Sequence, residues 1–234
     1  MSDLLAAEDE GTPERAAGEL RAGRLTVVPT DSCYAVVADA FNPAATRRLL
    51  AAKQRSRTTP LGVLIRSPRQ VTGLAEEVPE VAERLMATYW PGPLTVVLRA
   101  SDGLTWDLGA TDGTVSLRMP ADDALLALIA EVGPLACSGA NRRGAPVPTD
   151  IAAARDQLGE QVALYVDAGP LDGALSTVVD VTRGHAEILR HGAIPAEHIR
   201  QVATGVVAWG QRPSEEQQLS PGQPSHPTPE EPST

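Results

Sequence analysis

Short β-branched runs alternate with helical segments, two of them opened by Thr-Pro and Asn-Pro, along most of the chain. This alternation restricts the fold more than any other feature of the sequence. LTVVP (25–29), LGVLI (61–65), LTVVLR (94–99), TVSLRMP (114–120), PLACS (134–138), VALYVD (162–167), STVVDV (176–181) and EILRHG (187–192) read as strands. Thr12-Pro13 opens a helix, with Thr12 as N-cap, that closes at Gly23, and Asn42-Pro43 starts another over NPAATRRLLAAK. Further helices are expected within 78–89, over 121–133 with Gly133 as the stop, and near 149–158 and 195–203. Several strands follow one another without a helix between them. The order therefore predicts an α/β sheet of mixed direction and not a regular doubly wound domain. With only 3 Trp, 3 Tyr and 1 Phe in 234 residues, its core must be built from Ala, Val and Leu.

The two ends differ from this middle. The last 24 residues hold six prolines and a single large aliphatic, Leu219, too little apolar surface to offset the entropy of ordering them. The expected organisation is a flexible N-terminus over 1–11, one domain over 12–208 and a disordered Pro/Glu/Gln/Ser-rich tail over 209–234. The ends also carry the charge. Of the net −10, residues 1–10 hold −4 and residues 211–234 hold −3, which leaves −3 for everything between. A near-neutral middle does not grip nucleic acid by bulk charge. No apolar run approaches the roughly 20 residues a membrane span needs, and the N-terminus lacks a basic, then apolar, secretory pattern. Cys33 and Cys137 alone can build neither a disulfide framework nor a cysteine zinc cage, and they suit a reducing cytoplasm.

Several segments carry side chains with chemical potential. Pro29-Thr30-Asp31-Ser32-Cys33-Tyr34 follows the first strand-like run, where two hydroxyls and a phenol can orient a small polar ligand. Lys53 is the only lysine among 20 basic residues. A compact ammonium suits a phosphate in a tight site, although a composition biased to Arg also explains a lone Lys. In an extended segment before Pro60, Lys53, Arg55 and Arg57 share one face, and an anion such as a polyphosphate would relieve their repulsion; a solvated basic turn is the alternative. Trp90-Pro91-Gly92-Pro93 reads as a rigid structural turn. In a strand, Thr114, Ser116 and Arg118 point one way and the apolar residues the other. An Arg there needs a carboxylate or phosphate ligand, or an internal Asp. The small residues of Ala136-Cys137-Ser138-Gly139-Ala140-Asn141 let a ligand approach the backbone, whose N–H groups can cradle an anion. No GxGxxG or Walker A pattern is present.

Taken in order, PTDSCY, KQRSRTTPL, WPGPLTVVL, TVSLRMP, GANRRGAPVPT, STVVD and ILRHG resemble the YrdC-like (TsaC) family of L-threonylcarbamoyladenylate synthases over about residues 12–203, and WDLGATDGTVSLRMP is similar to its actinobacterial members. The resemblance implies one twisted mixed α/β domain, its sheet flanked by helices around a large, positively lined cavity. It implies that L-threonine, bicarbonate and ATP become threonylcarbamoyl-adenylate and pyrophosphate, with Mg²⁺ on the phosphates and no protein-built metal site. A partner transferase then passes the threonylcarbamoyl group to an adenosine of tRNA, with tRNA itself a further partner and no membrane involved. Carried over position by position, Lys53 and Arg55 are catalytic. Lys53, Arg57, Thr114, Gly139, Val147 and Arg190 meet ATP. Ser32, Arg118, Cys137 and Ser176 meet threonine. Ala35, Ser56, Gly139, Arg143 and Val147 depart from the family pattern, and Gly139 and Val147 keep only backbone N–H groups where hydroxyls are usual. A diverged paralogue with another carbamoyl or amino-acid substrate and a non-catalytic RNA-binding module are the alternatives.

Overall fold

The computed structural model describes residues 2–54, 57–171 and 174–212. Ten strands form one sheet: β1 (Asp3–Ala6), β2 (Thr26–Val28), β3 (Ala35–Asp39), β4 (Gly62–Leu64), β5 (Leu94–Arg99), β6 (Thr114–Arg118), β7 (Leu135–Gly139), β8 (Leu164–Asp167), β9 (Thr177–Asp180) and β10 (Glu187–Arg190). Their order across the sheet is β1-β8-β2-β3-β7-β4-β6-β5-β9-β10. The pairs β1/β8, β2/β8, β4/β6 and β5/β9 are parallel and the remaining five antiparallel, the mixed direction read from the sequence. Seven α-helices pack on it: α1 (Thr12–Arg21), α2 (Pro43–Ala52), α3 (Val71–Leu74), α4 (Glu80–Tyr89), α5 (Asp123–Val132), α6 (Ile151–Leu158) and α7 (Ala196–Ala203).

The central strands bury both faces, and alternation sorts their side chains into two cores. Val27, Val36, Val63, Leu117, Ala136 and Tyr165 join the larger core, with Leu49 of α2 and Leu85 of α4. Val28, Val37, Leu64, Leu135 and Leu164 face the other way and meet Leu20 of α1 and Leu128 and Ile129 of α5. Asn42 caps α2 as expected, its side chain accepting from the N–H groups of Ala44 and Ala45. Asp122 caps α5 through the Leu125 N–H, and Gly133 ends that helix at φ 107°. Thr12 is not the N-cap of α1: Gly11 is, at φ 92°, and the Thr12 hydroxyl donates to Ala6 O at 2.9 Å.

Three elements differ from the sequence reading. β3 is a continuous apolar run without the alternation that marks a half-buried strand, and it lies buried between β2 and β7. α3 is a single short turn of helix. Residues 1–11 are not wholly flexible, because β1 pairs in parallel with β8 from Asp3↔Leu164 to Ala6↔Asp167, satisfying backbone that would otherwise stay open. At the other end, Arg84 stacks on Trp209 at 5.1 Å and Arg212 on Tyr89 at 5.9 Å, so residues 209 and 212 dock onto α4. The tail expected from 209 onward otherwise lies outside the described residues, apart from the turn at 209–210 and the backbone to 212.

Candidate functional site

A tight turn between β2 and β3 starts the site. Thr30 Oγ1 accepts from the N–H groups of Ser32 and Cys33, both at 3.1 Å, and donates to Cys33 O at 2.8 Å. This internal bonding replaces the ladder at the strand end and fixes where Ser32 projects. Tyr34, fully buried, ties the turn to the segment after β8: its hydroxyl donates to Gly169 O at 2.7 Å and accepts from the Ala168 N–H at 2.9 Å. Burial pushes its phenol above the ordinary tyrosine range.

Arg118, at the end of β6, lies against this turn. Its Nε donates to Gly92 O at 3.1 Å, Nη1 to Ser32 Oγ at 2.9 Å and Nη2 to Asp31 Oδ1 at 2.6 Å. The internal Asp that the sequence allowed as a partner is therefore Asp31. Across the sheet, Ser176 precedes β9, and its Oγ lies 2.9 Å from Thr95 Oγ1 of β5. Arg190, closing β10, donates from Nη2 to Ser176 O at 2.9 Å and Ser176 Oγ at 2.8 Å. Gly192 makes this closure possible, because a Cβ there would stand 2.4 Å from Leu175 O.

These elements surround a cavity of about 230 Å³. Of the residues assigned from the sequence, Ser32, Arg118, Cys137, Gly139, Ser176 and Arg190 line it together. Among the described residues, Arg118 and Arg190 are the charged side chains on its wall. The lining is therefore positive, although the volume falls below the usual 300–1,000 Å³ or so of small-molecule sites. Thr95, Ser116 and Ser138 add hydroxyls that the sequence did not single out as ligands, and Cys33 joins Cys137, so both cysteines face one cavity. Burial pushes the Cys33 thiol up, against the pull of the Ser32 hydrogen bond and the Arg118 charge.

Other assigned residues lie outside the wall. Lys53 ends α2, 4% exposed, and its Nζ donates to Gly139 O at 2.6 Å, Asn141 Oδ1 at 2.9 Å and Asn141 O. Three donors meet three acceptors, so this ammonium ties α2 to the loop after β7 rather than standing open to solvent. Arg57 is half exposed and held bidentately by Asp107 at 2.6 and 3.0 Å, with Arg47 3.6 Å from the same carboxylate. The Arg57 hydrogen bond lowers the Asp107 pKa. Thr114 donates to Thr111 O at 2.7 Å. The Val147 side chain abuts Gly139, where an added Cβ would meet it at 3.5 Å. Arg55 lies outside the described residues. The pairings of Lys53 with Asn141 and of Arg57 with Asp107 escaped the sequence reading, since no local pattern marks the partner of a distant cation. Among the described residues no group of three or more His, Cys, Asp or Glu could hold a metal ion.

The Sua5/YciO/YrdC family model, described as "Telomere recombination", matches residues 19–192. A Mycobacterium tuberculosis protein provisionally named threonylcarbamoyl-AMP synthase is 45% identical over 188 residues, 80% of this chain and 87% of that protein. A Mycobacterium leprae protein of the same provisional name is 46% identical over 193 residues, 82% and 87% of the two. Among solved structures, Pyrococcus abyssi Sua5 in complex with L-threonine is 35% identical with a TM-score of 0.79. That match covers 86% of this chain and 60% of the Pyrococcus chain, so the present chain spans under two thirds of that relative. Escherichia coli YciO, at 24% identity, a TM-score of 0.76 and coverage of 84% and 98%, shares the fold.

Proposed function

This chain belongs to the Sua5/YciO/YrdC family, and from that membership we propose that it is an L-threonylcarbamoyladenylate synthase, a nucleotidyltransferase that makes threonylcarbamoyl-AMP and pyrophosphate from L-threonine, bicarbonate and ATP. One observation carries the reading: a cavity whose charged wall groups, among the described residues, are two guanidiniums, set among serine and threonine hydroxyls. Such a wall complements a small molecule that combines a carboxylate with a hydroxyl. The threonine complex of the Pyrococcus relative and the names of the mycobacterial relatives support the same substrate.

In this scheme Arg118 holds the threonine carboxylate, and Ser32, Cys137 and Ser176 surround the rest of the amino acid. The threonine amine combines with bicarbonate, releasing water and forming a carbamate. A carbamate oxygen then attacks the α-phosphorus of ATP, and the bond to the β-phosphate oxygen breaks as pyrophosphate leaves. The protein forms no covalent intermediate. It positions two anions against each other and neutralises charge as it builds on the leaving group. Arg190, Thr114 and the N–H groups of Gly139 and Val147 are assigned to the nucleotide. Lys53, Arg55 and Arg57 are assigned to the polyphosphate. For Arg57 this requires exchange of Asp107 for phosphate, and for Lys53 the surrender of one carbonyl partner. Mg²⁺ would arrive with the triphosphate and neutralise part of its charge. The product serves a cytoplasmic transferase that modifies tRNA.

Pyrophosphate release, measured with ATP and bicarbonate, tests the reading. Release that requires L-threonine is expected. Release driven by another amine, or none at all, would overturn it.

A further inference from the structure

Arg118 reaches the cavity with its guanidinium already held by Gly92 O, Ser32 Oγ and Asp31 Oδ1. Three of a guanidinium's five N–H groups are thereby engaged, and two remain for a ligand. The three partners are not equivalent. Ser32 lines the cavity beside Arg118, whereas Asp31 does not. The Asp31 and Arg118 side chains are 13% and 10% exposed, so their 2.6 Å ion pair is largely shielded from solvent. The carboxylate therefore grips Arg118 from outside the ligand's volume and does not occupy the ligand's place.

We propose that Asp31 is a positioning residue for amino-acid recognition: it fixes the Arg118 guanidinium so that the remaining N–H groups meet the substrate carboxylate. The proposal rests on the reading of the cavity as a threonine site. The turn geometry supports it. Thr30 locks the backbone of Ser32 and Cys33, so one rigid turn delivers both side chains that orient Arg118. An arginine left to choose among rotamers would have to be ordered at each binding event, and a displacement near 1 Å is enough to cost about a hundredfold. A neighbouring carboxylate also weakens a cation's pull on a second carboxylate. Arg190 offsets this, because two guanidiniums against one carboxylate leave the site positive.

The test compares wild type, Asp31→Asn and Asp31→Glu by threonine binding calorimetry and by steady-state pyrophosphate release. Asn keeps the size and one acceptor but removes the charge. Asp31→Asn should raise both the Kd and the KM for threonine about tenfold to a hundredfold and leave the KM for ATP within about twofold. Asp31→Glu, which restores a carboxylate, should recover most of the loss. An unchanged threonine Kd in Asp31→Asn would overturn the proposal. A lower one would too, since it would make Asp31 a competitor of the substrate. Equal losses for both substrates together with a lower Tm would reduce the pair to a structural one, as would failure of both Asp31→Asn and Asp31→Ala to fold. If the wild type binds threonine but releases no pyrophosphate, the synthase reading fails while the binding constants still decide the role of Asp31. If it binds no threonine, both fail.

Discussion

Lys53 shows how one residue can be singled out by composition and explained by contacts. Its rarity pointed to a place where an ammonium is required, and phosphate was the partner expected. In the structure its ammonium meets three protein acceptors, from Gly139 and Asn141. Three rotatable donors on a compact head meet these acceptors, whereas a planar guanidinium is larger and presents its donors in a fixed fork. Lys53→Met would leave the partly buried Gly139 O and Asn141 acceptors without this donor, at about 1 kcal/mol. Urea unfolding should register that loss, with a lower midpoint and an unchanged slope. Pyrophosphate assays on the folded fraction should show a higher KM for ATP, because the loop after β7 would lose its tie to α2. Normal stability in this variant would show that the three contacts carry no net weight.

At the scale of elements, the caps were the most legible feature, because they depend on neighbours within four residues. Gly133 ends α5 and Asn42 opens α2 as the sequence suggested, and Asp122 supplies the N-cap of α5. Asp122 also carries a penalty that the sequence did not reveal. Burial raises its pKa above the usual carboxylate value, and the nearby Asp31 and Asp123 charges add to the rise against the pull of the Leu125 N–H. The folded state thus binds this proton more tightly than the unfolded chain. The group contributes stability that is fully present below its unfolded pKa and is lost as the pH rises through its folded one. Asp122→Asn keeps the cap and removes the charge, so at neutral pH it should be as stable as wild type or more so. That margin should vanish as the pH falls through the carboxylate range. Asp122→Ala removes the cap and should cost about 0.5–2 kcal/mol at low pH, where the charge no longer matters. Thermal melts across the pH range would check both, and an Asn variant less stable than wild type at neutral pH would contradict the assignment.

At the scale of the whole molecule, the sheet gathers a site from residues 32 to 190, and its edges show which ends of the chain belong to the fold. β1 covers the edge of β8, and Leu5 and Ala7 pack against the second core. Deleting residues 2–8 should uncover that edge. It should lower Tm by several degrees, since about 1 kcal/mol moves a domain of this size by about 2–4 °C, and it should promote association through open strand backbone. The cavity lies on the far side of β2 and β3 from this edge, so threonine affinity below the new Tm should stay near wild type. A deletion that melts with the full chain would return the N-terminus to the flexible end the sequence suggested.

Local chemistry was legible in the sequence wherever the cause was local. Strands 25–29, 94–99 and 114–120 follow from β-branched runs bordered by Pro, and helices 42–53 and 121–133 follow from Asn42 at the start of one and Gly133 at the end of the other. The outward face of Thr114, Ser116 and Arg118 follows from the strand's period of two, with Val115 and Leu117 buried on the other side. β3 was hidden because a strand buried on both faces shows no alternation, and β1 because four residues pair only when β8 is already in place. The sequence also determined which residues could bind an anion, since charge and donor geometry belong to the side chain itself. Which of them share one cavity was decided only by the tertiary structure. Arg118 and Arg190 converge because β9 and β10 fold back beside β5, while Arg57 is drawn aside by Asp107, 50 residues away along the chain. Such pairings depend on long-range contacts whose energy comes from burying the whole sheet, and no window of local sequence contains them.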